Sequence, residues 1–455
     1  MLATGTTSAQ CLLLLVTPLL TRLYTLESFG QLAIYSSILA LVSAISCLRY
    51  ELAIPLGQTD DEVNNTVSLC FLLLLLTTLI VSILILLLQT YSVLGVKEHA
   101  NYIWMLPIGL WLTGSYNIIS SWCTQKKKFK AMSSTRLKQS VATVIIQLVA
   151  FNEGIIALII GQIIGQSYAV LKLTNAVNGF HAIKKVSWVG ICDMAVKHKR
   201  FPLFSNWSSL INVASQQMIP LSLPYFFSTT LAGYYYFANR VMMTPAALIG
   251  KAVSSVFYAN TAEKKANGTL DKFFLEIQHK LTILGSLPLF LIILYGPELF
   301  GAILGNDMTY SGTLARWLAI PVYLSFIVSP TSTVFSTINR QDISLKLQIL
   351  LATVKIIALS TMLFGLEFLI AIKILCFAST FGYFMFIVFA SRCLNIPILN
   401  FFQSVYEATK ISSLLSSPLI ILKLCGSELF SYYGIFGCFL ILLICVKKFK
   451  TIFNN

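Results

Sequence analysis

The residues able to do chemistry in this chain are charges placed where charge is expensive. Arg49 and Glu51 interrupt an apolar run that begins at Gly30, Arg240 and Lys251 interrupt a second, and Lys355 a third. A charge at the bilayer centre costs about 3 kcal/mol or more, so such residues face a partner or a wet cavity. Eleven residues separate Arg240 from Lys251. That is about three helical turns and roughly 16 Å, which puts both on one face. Tyr236, Thr244, Ser254, Ser255 and Tyr258 fall on or near it, making a polar, cationic stripe. Arg49 and Glu51 are two residues apart, about 200° around an unbroken helix. They are therefore expected on nearly opposite faces with separate jobs, one toward an inner cavity and one packed within its lobe. For Glu51 those jobs are ion coupling or structural pairing. Ser344 and Gln348 precede Lys355 at multiples of a turn and repeat the pattern. Lys373 lies nearer the outer end of its run, within snorkelling reach of the headgroups. Glu51 is the main acid in the runs, with Glu407 near the start of a late one. An interior dominated by basic groups suits an anionic cargo such as a phosphate or pyrophosphate, because guanidinium meets phosphate through forked hydrogen bonds. A cation exporter would want the reverse.

Other chemistries find no residues to carry them. Gly250-Lys251 lacks the earlier glycine and the following Ser or Thr of a phosphate-binding loop, and there is no HExxH, nucleophile elbow or paired-carboxylate arrangement. The ten cysteines are scattered, mostly in apolar runs, with no CxxC pair, and the four histidines show no ligand spacing to them. Buried small hydrophobes are the expectation, with no zinc, no other metal and no disulfide framework. The loops are too short for a catalytic domain, so an enzyme is disfavoured.

The elements that must position these charges are membrane helices. The 455 residues are 57% hydrophobic and 11% charged, less than half the charged share of a soluble domain. The net charge of +15 fits basic cytoplasmic loops and not nucleic acid, for which no motif is present. Residues 1–21 have no basic stretch before them and read as a first spanning helix, not a signal peptide. Runs able to span as helix fall at 2–22, 30–56, 63–88, 101–123, 135–151, 154–177, 206–227, 230–258, 276–303, 313–338, 343–365, 367–391, 404–425 and 430–447. The fold class expected is all-α integral membrane with about 14 transmembrane helices. Basic residues cluster in alternate loops, including Lys126, Lys127, Lys128 and Lys130, then Lys197, Lys199 and Arg200, then Lys264 and Lys265. The positive-inside rule puts both termini in the cytoplasm.

The hydrophilic linker 178–205 divides the chain, and the two sides resemble each other. Phe29-Gly30 aligns with Ala232-Gly233, Asp60-Asp61-Glu62 with Glu263-Lys264-Lys265, and Pro107 with Pro321. The expected organisation is an N-terminal lobe 1–177, a cytoplasmic linker 178–205, a C-terminal lobe 206–391 and additional helices in 392–455. A parallel repeat of six-helix lobes is a transporter signature. Gly161 and Gly165 in the sixth run form a small-xxx-small motif expected to pack inside the first lobe. Tyr234, Tyr235, Tyr236 and Phe237 read as part of an outer interfacial belt.

Thr21-Arg22-Leu23-Tyr24, Glu27-Ser28-Phe29-Gly30 and above all Leu48-Arg49-Tyr50-Glu51-Leu52-Ala53-Ile54, followed by Asp60-Asp61-Glu62, resemble the Wzx-type polysaccharide transporters. These are repeat-unit flippases of the MOP superfamily, related to MATE exporters and the lipid II flippase. The motifs cover the first sixty or so residues, and the helical layout extends the likeness along the chain. The resemblance implies two six-helix lobes in a V around a central cavity. It implies alternating access that moves an undecaprenyl-pyrophosphate-linked oligosaccharide across a bacterial inner membrane. Arg49 and Arg240 take the place of the cavity-lining cations, with Lys251 and Lys355 as further candidates. No organic cofactor is implied; the drive is a proton or sodium gradient or the membrane potential. Membrane lipids, an O-antigen polymerase and a chain-length regulator are the implied partners. The rival reading is a MATE-like ion-coupled exporter of small molecules, for which Glu51 would be the functional carboxylate. A membrane enzyme such as a glycan polymerase would need a large outer loop, which is missing, and a scaffold leaves the basic stripe unexplained.

Overall fold

The computed structural model of the protein describes residues 2–90, 100–178, 186–338 and 340–424. The fourteenth expected run, 430–447, lies outside them. The principal helices are α1 (Leu2–Leu23), α2 (Leu26–Ile45), α3 (Asp60–Thr90), α4 (Leu106–Gln125), α5 (Phe129–Val149), α6 (Ile155–Ala176), α7 (Trp188–Lys197), α8 (Asn206–Phe226), α9 (Thr229–Ala266), α10 (Leu270–Leu304), α11 (Thr309–Thr331), α12 (Gln341–Ser360), α13 (Phe368–Cys393) and α14 (Leu399–Leu424). No strand occurs among the described residues. Local chemistry sets several boundaries. The Thr25 hydroxyl accepts the Ser28 amide at 3.2 Å and starts α2. Gly154 (φ 57°) and Gly305 (φ 112°) occupy left-handed backbone where α6 begins and α10 ends.

Eight helical stretches among the described residues are long and apolar enough to cross a membrane: Gly5–Leu23, Leu26–Ile45, Asp60–Gln89, Ile155–Ala176, Leu270–Leu304, Asn306–Thr337, Gln341–Phe364 and Phe368–Cys393. Along α3 the exposed residues include Leu75, Leu76, Leu79, Ile80, Ile83 and Leu84. Water does not tolerate so continuous an apolar surface, and lipid does. The protein is thus an all-α, multi-pass membrane protein. Helices α4, α5, α8, α9 and α14 are 20 residues or longer but too polar to meet the same standard. A helix covered by neighbours, or facing a polar interior, has no need to be apolar all round.

The chain forms two compact units, 1–233 and 234–455. The first is centred on Tyr50, Ile54, Val67, Cys70, Trp122 and Leu173, the second on Phe257, Phe274, Leu281, Ile327, Phe335 and Phe386. The boundary comes after the linker, because α8 packs along α2, with the Ser37 hydroxyl donating to Gln217 Oε1 at 2.9 Å. Within the first unit, Gly161 and Gly165 let α6 approach α5. A Cβ on Gly161 would come within 2.7 Å of Gln147 Cγ and 2.9 Å of the Thr143 carbonyl oxygen, so the motif serves intramolecular packing.

A second close approach joins the residues that the sequence repeat aligns. A Cβ on Gly30 would lie 2.8 Å from the Thr229 carbonyl carbon, and one on Gly233 would lie 3.0 Å from that of Leu26. The contact is reciprocal, since each glycine meets the residue four places before the other.

Three expectations need correction. The run 30–56 is not one helix: α2 ends at Ile45, and Tyr50–Leu52 and Ile54–Leu56 are separate 3-10 turns. Arg49 and Glu51 consequently lie in the connection between two spans, not inside one. The aromatics at 234–237 are not an outer belt. Tyr235 and Phe237 are buried, and Tyr234 meets Tyr310 edge to face at 5.2 Å between centroids.

Candidate functional site

Leu48 (φ 47°) and Arg49 (φ 65°) are consecutive non-glycine residues in the left-handed region. Each costs about 1 kcal/mol or more, and such strain concentrates at functional sites. This break folds the chain back so that Arg49 Nη1 stands 3.6 Å from Glu51 Oε1. The expected split of the two residues onto opposite faces is therefore overturned, because it assumed an unbroken helix. The Thr77 hydroxyl of α3 donates to the Ser46 carbonyl at 3.2 Å and satisfies one acceptor freed by the break. The Arg49 side chain is 32% exposed and that of Glu51 13%. Arg49 Nε and Glu51 Oε2 are buried with no hydrogen-bond partner among the described residues, so the pair is incompletely satisfied.

Burial raises the Glu51 carboxyl above its usual value, and a backbone hydrogen bond and Arg49 only partly offset this. An acid raised in the folded state stabilises the fold while protonated. That contribution is lost as pH climbs through the folded-state value. Glu51→Gln should therefore gain stability relative to the parent as pH goes from about 4 to about 8. Thermal unfolding in detergent across that range checks it. A variant that loses ground instead would mean that attraction to Arg49 outweighs burial.

The acidic cluster that follows clamps the same end of the first unit. Lys126 pairs with Asp60, and Lys197 with Glu62. The Tyr50 hydroxyl donates to the Ala195 carbonyl at 2.9 Å. The connection 46–59, the start of α3, the end of α4 and the linker helix α7 are thus tied together. Sequence reasoning placed these charges in loops but missed their pairing, for which opposite sign on neighbouring loops was the available signal.

Arg240, Lys251 and Lys355 belong to the second unit. The Arg240 guanidinium donates to the Tyr236 hydroxyl one turn earlier, with Cζ 5.5 Å from that ring's centre. Arg240 is half-buried and has no carboxylate within 4.0 Å among the described residues. Lys251 is exposed and lies roughly 33 Å along α9 from Thr229, about the thickness of the hydrocarbon layer. It can reach a headgroup. Lys355 is 5% exposed, and its Nζ sits 5.9 Å from the centre of the Tyr383 ring. Two turns before it, Gln348 Oε1 is buried without a hydrogen-bond partner among the described residues. Lys373 packs on Trp317 at 4.7 Å.

A further charged pair escaped sequence reasoning. Arg316 on α11 donates to the Leu294 carbonyl at 3.1 Å and to Glu298 Oε2 at 3.4 Å. It caps a break in α10, where Tyr295 leaves helical backbone just before Pro297. Proline at 297 signalled the break; nothing in the sequence signalled the partner. Glu407, the other acid noted in the late runs, is 3.7 Å from His279. No cluster of metal-ligating groups occurs among the described residues.

Residues 19–312 match the family described as "Polysaccharide biosynthesis protein". Among solved structures, the lipid II flippase MurJ in an inward closed conformation is similar, with a TM-score of 0.69 at 13% identity, covering 100% of this chain and 99% of that one. An inward-facing multidrug resistance MATE family transporter of the MOP superfamily gives 0.62 at 13% identity, covering 86% and 94%. A MATE in complex with MaD3S gives 0.55 at 15%, covering 90% and 95%. At such identities the likeness is one of fold. No curated protein sequence matches the chain.

Proposed function

Since the chain belongs to the polysaccharide biosynthesis protein family, Wzx-like transporters and not enzymes within the MOP superfamily, we propose that it flips a lipid-linked oligosaccharide. The cargo would be an undecaprenyl-pyrophosphate-linked O-antigen or capsule repeat unit, moved by alternating access across a bacterial inner membrane. The proposed lobes are 1–177 and 206–391, joined by the linker 178–205, with 392–455 outside the core and both termini cytoplasmic. The observation that carries the reading is the second unit's uncompensated cations. Arg240, half-buried, and Lys355, buried, are basic side chains with no carboxylate within 4.0 Å among the described residues. That arrangement is unfavourable for an empty or cation-binding interior and favourable for a pyrophosphate. Arg49 and Lys251 are the further cations proposed for the cargo.

The incompletely satisfied Glu51, with Oε2 buried and unpartnered among the described residues, favours a second reading, an ion-coupled exporter of small molecules. A strain lacking its own repeat-unit flippase separates the two. The parent chain should restore surface glycan and relieve accumulation of the lipid-linked precursor. Failure to do so, together with efflux of a cationic dye that Glu51→Gln abolishes, would replace the flippase by the exporter.

A further inference from the structure

The linker helix α7 has three faces, and one of them packs onto protein. Ile191, Met194 and Ala195 pack onto the core of the first unit, where the Ala195 carbonyl accepts the Tyr50 hydroxyl. Trp188, Val189, Cys192 and Val196 share an adjoining arc of about 100°, and all four are exposed, Trp188 and Val196 at 66% each. The exposed Asp193 and Lys197 fall on the remaining arc. A helix flanked by protein on one side and water on the other has no use for an exposed tryptophan face.

The position of α7 identifies what covers that face. It lies against the first turns of α3, with Lys197 on Glu62 and Gly190 beside Asn65. The apolar span Asp60–Gln89 begins there, so α7 lies at one end of a helix long and apolar enough to cross a membrane. Lys199 and Arg200, both exposed, follow directly. An apolar arc carrying tryptophan with cations at its end is the composition that binds an anionic lipid surface.

We propose that α7 is a docking surface for anionic phospholipid: Trp188, Val189, Cys192 and Val196 enter the acyl boundary while Lys199 and Arg200 engage the headgroups. The site is independent of the cargo reading. It connects leaflet composition to the connection that carries Arg49 and Glu51, because α7 is held to Tyr50 by a hydrogen bond.

The test uses the full chain in nanodiscs of phosphatidylcholine with brominated phosphatidylglycerol, or with brominated phosphatidylcholine instead. Fluorescence of the parent minus that of Trp188→Phe isolates Trp188. Its quenching should be roughly twofold stronger with the brominated anionic lipid, and Lys199→Gln/Arg200→Gln, which retains Trp188, should erase the difference. Absence of quenching by either lipid would mean that the face meets water or protein, and would overturn the proposal. Equal quenching by both lipids would overturn it as well, since anionic selectivity is part of the claim.

Discussion

Replacing Arg240 by alanine should lower surface glycan in a complemented flippase-deficient strain by about tenfold or more. A hydrogen bond to a charged group is worth about 1.5–3 kcal/mol, and each 1.4 kcal/mol is a factor of ten. Arg240 is half-buried on α9, and its described hydrogen bond is to the Tyr236 hydroxyl, not to a carboxylate. Its charge is therefore available to an anion, and its removal leaves no stranded carboxylate behind. Arg240→Lys retains the charge but not the fork, so it should fall between alanine and the parent. Lys251→Ala supplies the comparison. Lys251 is exposed near the end of the membrane-crossing length, where water already screens it, and a smaller loss is expected. Immunoblots of the membrane fraction keep folding apart from transport. Normal glycan from a normally abundant Arg240→Ala protein would remove Arg240 from the site.

Leucine at Gly30 or Gly233 should destabilise the protein by about 1–3 kcal/mol, the usual range for overpacking, read as a lower unfolding temperature in detergent. The neighbour in each case is backbone, the Thr229 and Leu26 carbonyls, which cannot rotate aside as a side chain would. Because both substitutions attack one crossing, the double variant should cost less than the sum of the singles. Gly250→Ala on the same α9 is the control. Its Cβ would meet Pro330 Cγ at 3.6 Å, an ordinary contact, and alanine is the better helix former by about 1 kcal/mol. It should leave stability unchanged or raise it. A Gly233→Leu protein as stable as Gly250→Ala would mean that the two helix starts do not cross as described.

By itself the sequence determined the class of protein. A chain this apolar with this little charge has no folded state in water, so the all-helical spans and the polysaccharide biosynthesis family were legible from composition and motif. The close packing at Gly161 and Gly165 was legible too, because a four-residue glycine spacing has one main use in a membrane helix. Periodicity did not foresee the broken backbone at Leu48 and Arg49. Helical geometry assigns opposite faces to residues two apart, and only the left-handed break brings Arg49 to Glu51. Tertiary structure also decided the pairings of Asp60 with Lys126, Glu62 with Lys197 and Arg316 with Glu298. These partners lie between 18 and 135 residues apart, and electrostatic attraction depends on distance in space, which a one-dimensional pattern does not carry. For the same reason the sequence could propose one cationic stripe on α9, while the structure distinguishes Arg240, half-buried and held on Tyr236, from Lys251, which is exposed.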